Sequence, residues 1–135
     1  MSKDRLFKAK QRMIKQHLIP RGITEEKILE AFRTVPREEF VPADLKAKAY
    51  LDRPLPIAEG QTISQPYIVA KMVKALQPCS DDKILDIGTG SGYAAAVLAQ
   101  IVDEVYGVEK FEDLANEAQK RLEKLAYNNI KIHIG

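Results

Sequence analysis

Apolar positions recur at helical spacing through the first part of the chain. Leu6, Phe7, Met13, Ile14 and Leu18 predict a helix over about 3–18, with lysines and arginines between them. Pro20-Arg21-Gly22 breaks it. Thr24 is placed to cap a second helix, with Glu25 and Glu26 in its first turn and Ile28, Leu29, Phe32 and Val35 on its apolar stripe. Pro36 interrupts that pattern, a turn-rich piece runs over 37–42, and a short helix is expected over about 43–50. Residues 51–66 hold Pro54, Pro56, Pro66 and Gly60 and show no helical period. Loops this long without regular structure are uncommon in compact domains and are often functional. Pro66 opens the next helix, where Tyr67, Ile68, Val69, Met72, Val73 and Leu76 predict a broad apolar face buried against a sheet.

From Lys83 onward the pattern changes. Lys83–Ile87 is a short apolar strand, and Gly88, Gly90 and Gly92 alternate directly after it. A helix then runs to about Val102, a strand over Glu104–Val108, a helix over Phe111–Ala126 and a strand over Ile130–Ile134. This is a βαβαβ succession, the mark of an α/β fold with a parallel sheet. The chain is expected to form one domain over 1–135. Residues 1–66 are its helical lead-in and loop, and 67–135 its ligand-binding half.

Charge changes this picture little. The net charge of +2 is too small to argue for a nucleic-acid partner. The basic residues of the first segment read as a solvated face over a thin apolar stripe, with a membrane- or phosphate-binding helix as the alternative. No apolar run approaches a membrane span, and no apolar signal core follows the charged start, so no membrane partner is expected. The single cysteine, Cys79, allows no internal disulfide and suits the cytoplasm. It reads as a partly buried structural thiol. His17 and His133 read as surface or packing residues, and no metal site is expected.

The glycine pattern carries the chemistry. Alternate glycines let the backbone turn sharply and approach a ligand, and the helix that follows aims its free N–H groups at the same place. Asp86 ends the first strand and Glu109 the second, at the carboxyl ends where open parallel sheets bind ligands. The dinucleotide fingerprint needs glycine at position 93, which is Tyr93, and the phosphate loop needs Gly-Lys-Ser/Thr, which is absent. A carboxylate at Glu109 can accept both hydroxyls of a ribose, and Asp86 would face a positively charged ligand end. A nucleoside without phosphates fits, and S-adenosylmethionine is the expected cofactor. The plain alternative is a tight strand–helix turn. Ser64 and Gln65 would stand at the N-terminal end of the helix begun by Pro66, with Ser64 readable as its cap, its ligand contact or both.

Asp86–Tyr93 and Val105–Glu109 resemble the first motif and following acidic position of class I methyltransferases, which implies their Rossmann-like fold. Leu55–Tyr67 closely resembles the signature of the protein-L-isoaspartate O-methyltransferase family, and Val35–Pro42 is similar to its lead-in. The resemblance covers nearly the whole chain. It implies methyl transfer from S-adenosylmethionine to the free carboxylate of isoaspartyl residues in damaged proteins. The ester then closes to a succinimide whose hydrolysis restores some normal aspartate. By similarity Ser64 is the active-site residue. Thr62 and Gln65 lie near cofactor and substrate, Gly88, Thr89, Gly90 and Gly92 belong to the cofactor loop, and Glu109 is the ribose acid.

The family's adenine-contacting acid and later strands are expected beyond Gly135, so the chain reads as the N-terminal part of such a domain, truncated after the third strand. An unpaired inner edge on the first strand would then leave self-association across it open. Another class I methyltransferase, or a non-catalytic module of this fold, are the competing readings.

Overall fold

The computed structural model describes residues 2–135. Helix α1 (Lys3–Met13) starts where the Ser2 hydroxyl accepts from the Arg5 N–H at 3.2 Å. Its wide continuation, a π-turn over Ile14–Leu18, buries Ile14 and Leu18 before Pro20 and a left-handed Gly22 end the run. The expected single helix over 3–18 is therefore α-helical only to Met13. Helix α2 (Glu26–Thr34) buries Ile28, Leu29, Ala31 and Phe32. Its cap is Glu25 rather than Thr24, whose N–H instead donates to the Glu25 carboxylate. Two 3-10 turns, Arg37–Phe40 and Ala43–Lys48, complete the helical layer.

The irregular loop contains a small hairpin. β1 (Leu55–Pro56) pairs antiparallel with β2 (Thr62–Ile63), closed through left-handed Glu59 and Gly60. Helix α3 (Pro66–Leu76) follows with Gln65, not Ser64, at its cap position and no side-chain cap bond. Three parallel strands form the main sheet in the order β3 (Lys83–Ile87), β4 (Glu104–Glu109), β5 (Ile130–Ile134). Helices α4 (Tyr93–Ala99) and α5 (Glu112–Lys124) make the crossovers. In register, Ile84, Val105 and Ile130 meet on the helix-covered face, and Leu85, Tyr106 and Lys131 on the other. One apolar core runs from Met13 and Leu18 through Phe32, Phe40, Val73 and Tyr93 to Val97, Val105 and Ile130, joining the helical layer to the sheet.

Two exposures that the sequence reading did not expect share a cause. Met72 and Leu76 on α3 are 56% and 51% exposed, and Leu85 and Ile87 on β3 are 60% and 77% exposed. A parallel sheet is ordinarily covered on both faces. Here one face of β3, and its outer edge, carry no cover among the described residues, so half of the α3 stripe is exposed as well. Cys79 is exposed rather than partly buried. Its turn is held by its own N–H donating to Asp82 Oδ2 at 2.7 Å. No helix among the described residues is long and apolar enough to cross a membrane.

Gly107, at the centre of the sheet, ties fold to site. A Cβ there would overlap the Thr89 hydroxyl and stand 2.7 Å from Ile132 Cδ1. Only a bare strand position lets buried Thr89 lie flat beneath the loop that follows β3, where its hydroxyl donates to the Asp86 carbonyl at 3.1 Å. Gly107→Ala is expected to destabilise the chain by about 1–3 kcal/mol, the usual penalty of overpacking. Denaturant unfolding monitored by circular dichroism would show it as a lower midpoint at unchanged slope.

Candidate functional site

The carboxyl ends of β3 and β4 build the site. β3 ends at Ile87, and the chain turns through Gly88, Gly90 and Gly92, all with positive φ, into α4. At Gly88 a side chain would meet nothing within 4 Å, so the left-handed backbone, not crowding, makes glycine necessary there, and the surface above it is open. At Gly92 too the left-handed backbone requires glycine, since a Cβ there would make only ordinary contact, 3.5 Å from Ala118 and Leu122 of α5.

Glu109, at the end of β4, is 5% exposed. Its Oε1 accepts from the Gly90 N–H at 2.8 Å and its Oε2 from the Phe111 N–H at 3.0 Å. One carboxylate thus holds the glycine loop and the entry to α5 together. The positive end of α5 favours its charge. Each oxygen keeps lone pairs for further donors.

A cavity of about 260 Å3 opens on this arrangement. Gln61 and Thr62 from the hairpin, Gly88 and Gly90 from the loop, and Glu109, Lys110 and Phe111 line it. The structure therefore brings together Thr62, Gly88, Gly90 and Glu109 of the residues singled out from sequence. Thr89 supports the loop from below, and Gly92 from behind. Asp86 lies elsewhere, lining an apolar groove between α3 and β3 with Val69, Val73 and Leu98. Its Oδ2 is buried and has no hydrogen-bond partner. Burial, and then the neighbouring Glu109 charge, push the Asp86 carboxyl up to about 6.

Ser64 and Gln65 line neither cavity. Ser64 is exposed, one residue beyond β2, and its carbonyl accepts from Arg37 Nη2 at 2.9 Å. The Gln65 side chain turns away to donate to Asp52 Oδ2 at 2.9 Å. Asp52 is a hub that sequence reading missed. It also takes Arg21 Nη1 at 2.6 Å and the Tyr67 N–H at 3.4 Å, and stands 3.7 Å from His17 Nδ1. These donors hold its carboxyl below its ordinary range against the opposing effect of burial. The buried Arg37 was missed as well. Its signal was an arginine set among Val35, Pro36, Phe40 and Val41, positions that pack inward. No cluster of metal-ligating side chains exists among the described residues.

Comparison with known proteins agrees with this geometry. A family model described as protein-L-isoaspartate(D-aspartate) O-methyltransferase matches residues 8–135. The protein-L-isoaspartate O-methyltransferase 2 of Pelobacter propionicus is 56% identical over 123 residues, covering 91% of this chain and 55% of its own length. The protein-L-isoaspartate O-methyltransferase of Pelotomaculum thermopropionicum is 50% identical over 126 residues, covering 93% and 55%. The chain spans about half the length of these curated relatives. A solved protein-L-isoaspartate O-methyltransferase superposes with a TM-score of 0.81 at 27% identity, over 93% of this chain and 42% of that one. A Plasmodium falciparum structure, described as a beta-aspartate methyltransferase in complex with S-adenosyl-L-homocysteine, gives 0.77 at 25% identity, over 94% and 62%. A three-stranded parallel sheet of methyltransferase type, a glycine loop clamped by a terminal acid and a match to the family model over nearly its whole length place this chain in the protein-L-isoaspartate(D-aspartate) O-methyltransferase family.

Proposed function

We propose that this chain carries the cofactor loop and acceptor loop of an enzyme that methylates the free carboxylate of L-isoaspartyl residues in damaged proteins, the first step of their repair. The observation that carries this reading is the cavity in which the Thr62 hairpin leans over Gly88, Gly90 and the Glu109 carboxylate. Its open glycine floor and single buried acid suit a nucleoside without phosphates, so the residues fit S-adenosylmethionine. When bound, that cofactor supplies an electrophilic methyl group on a sulfonium. Glu109 would accept the ribose hydroxyls, Gly88 and Gly90 would admit the ligand close to the backbone, and Gln61, Thr62 and Phe111 would wall it from water. Thr89 and Gly92 would keep the loop in shape. Asp86, outside this cavity at the neighbouring strand end, would face the cationic methionine end.

The acceptor carboxylate is ionised at neutral pH and is its own nucleophile, so the chain need not provide a general base. What it has to provide is alignment, which can supply much of a transfer rate. The Ser64 hydroxyl would donate to the acceptor carboxylate and hold it, while Gln65 would act near cofactor and substrate through its anchorage on Asp52. A reducing cytoplasm suits the exposed, unpaired Cys79. The free edge of β3, with Leu85 and Ile87 exposed beside it, favours pairing with a second copy of the chain.

Three tests follow. Wild-type chain, S-adenosylmethionine and an isoaspartyl peptide are expected to yield methyl ester. Ser64→Ala is expected to cut that yield about 10²-fold, the scale of one lost positioning contact, with S-adenosylhomocysteine affinity by calorimetry nearly unchanged. Equal turnover by the variant would remove the serine from the mechanism.

The raised Asp86 carboxyl predicts a pH effect. Its value in the fold is about 6 against an ordinary 3.8, so between those values the unfolded chain ionises and the folded one does not. Stability is therefore expected to fall as pH rises through this window, by about 2–3 kcal/mol for a shift of this size, and to stay lower above it. Asp86→Asn should lack this component, gain stability at neutral pH and bind S-adenosylmethionine more weakly. Parallel pH–stability curves for the two proteins would refute the assignment.

For self-association, size-exclusion chromatography should show a dimer that Leu85→Lys converts to monomer. A wild-type monomer at high concentration would refute the pairing.

A further inference from the structure

We propose that Arg37 is a positioning residue: its buried guanidinium fixes the Ser64 backbone against the first residue of α4, and so sets where the Ser64 hydroxyl stands. The proposal rests on the reading of Ser64 as the contact to the acceptor carboxylate.

Arg37 is fully buried and makes no ion pair with any carboxylate among the described residues. A charge buried without a counter-ion is a poor device for stability, since an apolar side chain would fill the same space more favourably. Its donors are instead spent on main-chain carbonyls. Nε donates to Ala49 O at 2.6 Å, and Nη2 to Ser64 O at 2.9 Å. The guanidinium lies over the Tyr93 ring, 4.8 Å from its centroid. Tyr93 is the first residue of α4, directly after Gly92. Arg37 Nη1 and Tyr93 Oη are both buried and have no hydrogen-bond partner.

One planar group therefore touches three things at once: the helical layer, the acceptor loop and the start of the helix that follows the cofactor loop. The Arg37 backbone is pinned in turn. Its N–H donates to Tyr50 Oη at 3.0 Å, and that hydroxyl donates to the Glu38 carboxylate. Phe40 closes the far side, edge-on to Tyr93 at 5.5 Å. Beyond Ser64 the loop has a separate anchor, because Asp52 takes the Gln65 side chain and the Tyr67 N–H. Loss of the Arg37 contact would thus free the Ser64 peptide while Gln65 and α3 stay in place. Lysine at this position reaches one carbonyl at a time, without the planar fork that spans two.

Arg37→Met and Arg37→Lys are compared with the wild-type chain by hydrogen exchange, by calorimetry with S-adenosylhomocysteine and by methylation of an isoaspartyl peptide. In a folded Arg37→Met, exchange over 61–65 is expected to rise about tenfold while that of β4 is unchanged. S-adenosylhomocysteine affinity should stay within about threefold, and methylation should fall in kcat rather than in KM for S-adenosylmethionine. Arg37→Lys should recover part of both losses. Unchanged exchange over 61–65 overturns the proposal. So does an equal rise over loop and sheet in a folded variant, which is what a merely structural arginine would give. If Arg37→Met does not fold, Arg37→Lys decides by the same two criteria. If the wild-type chain forms no ester but the loop responds as stated, the positioning role stands and the methyltransferase reading fails.

Discussion

The site depends on one buried carboxylate that the backbone itself has claimed. Glu109 receives the N–H of Gly90 across the sheet and the N–H of Phe111 at the entrance to α5. Buried charge is tolerated only when it is well hydrogen-bonded, and main-chain donors do this without the side-chain entropy that an ion pair would lose. The same two bonds fix the distance between the loop after β3 and the turn after β4. The acid that would read a ribose is thus first a fastener. The glycine loop and the pocket wall take their shape before any ligand arrives, which lowers the ordering cost of binding.

Asp86 shows the opposite solution at the end of the neighbouring strand. Its Oδ2 is buried without a donor, and burial raises its carboxyl towards neutrality of charge at mildly acidic pH. Two acids at adjacent strand ends thus differ in kind because their surroundings differ. One is satisfied by backbone N–H groups and the other faces apolar side chains. A cationic group beside Asp86 would complete what the protein leaves open there.

Much of this was legible in the residues. The βαβαβ order, the glycine loop, Pro66 at the start of α3 and the terminal acids follow from local rules, because backbone freedom and strand alternation act within a few positions. The hairpin inside 51–66 was not legible. Its strands are two residues each, and proline at Pro56 hides the pairing. Thr24 failed as a cap because Glu25 takes the cap position with its carboxylate turned back on the Thr24 N–H. Ser64 is not the cap, because α3 begins at Pro66 with Gln65 in the cap position, while the Ser64 carbonyl accepts from Arg37. The contacts of Asp52 and Arg37 were invisible for a shared reason. Their hydrogen-bond partners lie 12 to 31 positions away, and no periodicity in the chain encodes such contacts.

The exposed face of the sheet bears on how the two loops are kept in register. A three-stranded sheet with a bare face and unpaired edge strands among the described residues has fewer neighbours to resist its twisting and fraying. Leu85 and Ile87, which lead into the glycine loop, are among its most exposed residues. The loop therefore cannot owe its placement to packing around β3. It owes it to connections on the covered side: Thr89 lying against the gap at Gly107, Glu109 across to Gly90, and Arg121 Nη1 donating to the Ser91 carbonyl at 2.8 Å. Tyr93 belongs to the same set, since it is packed between Phe32, Phe40 and Arg37. The site is hung from the helical layer and from α5 rather than seated on its first strand. For that reason the long lead-in before β3 is as much a part of the site as the glycine loop.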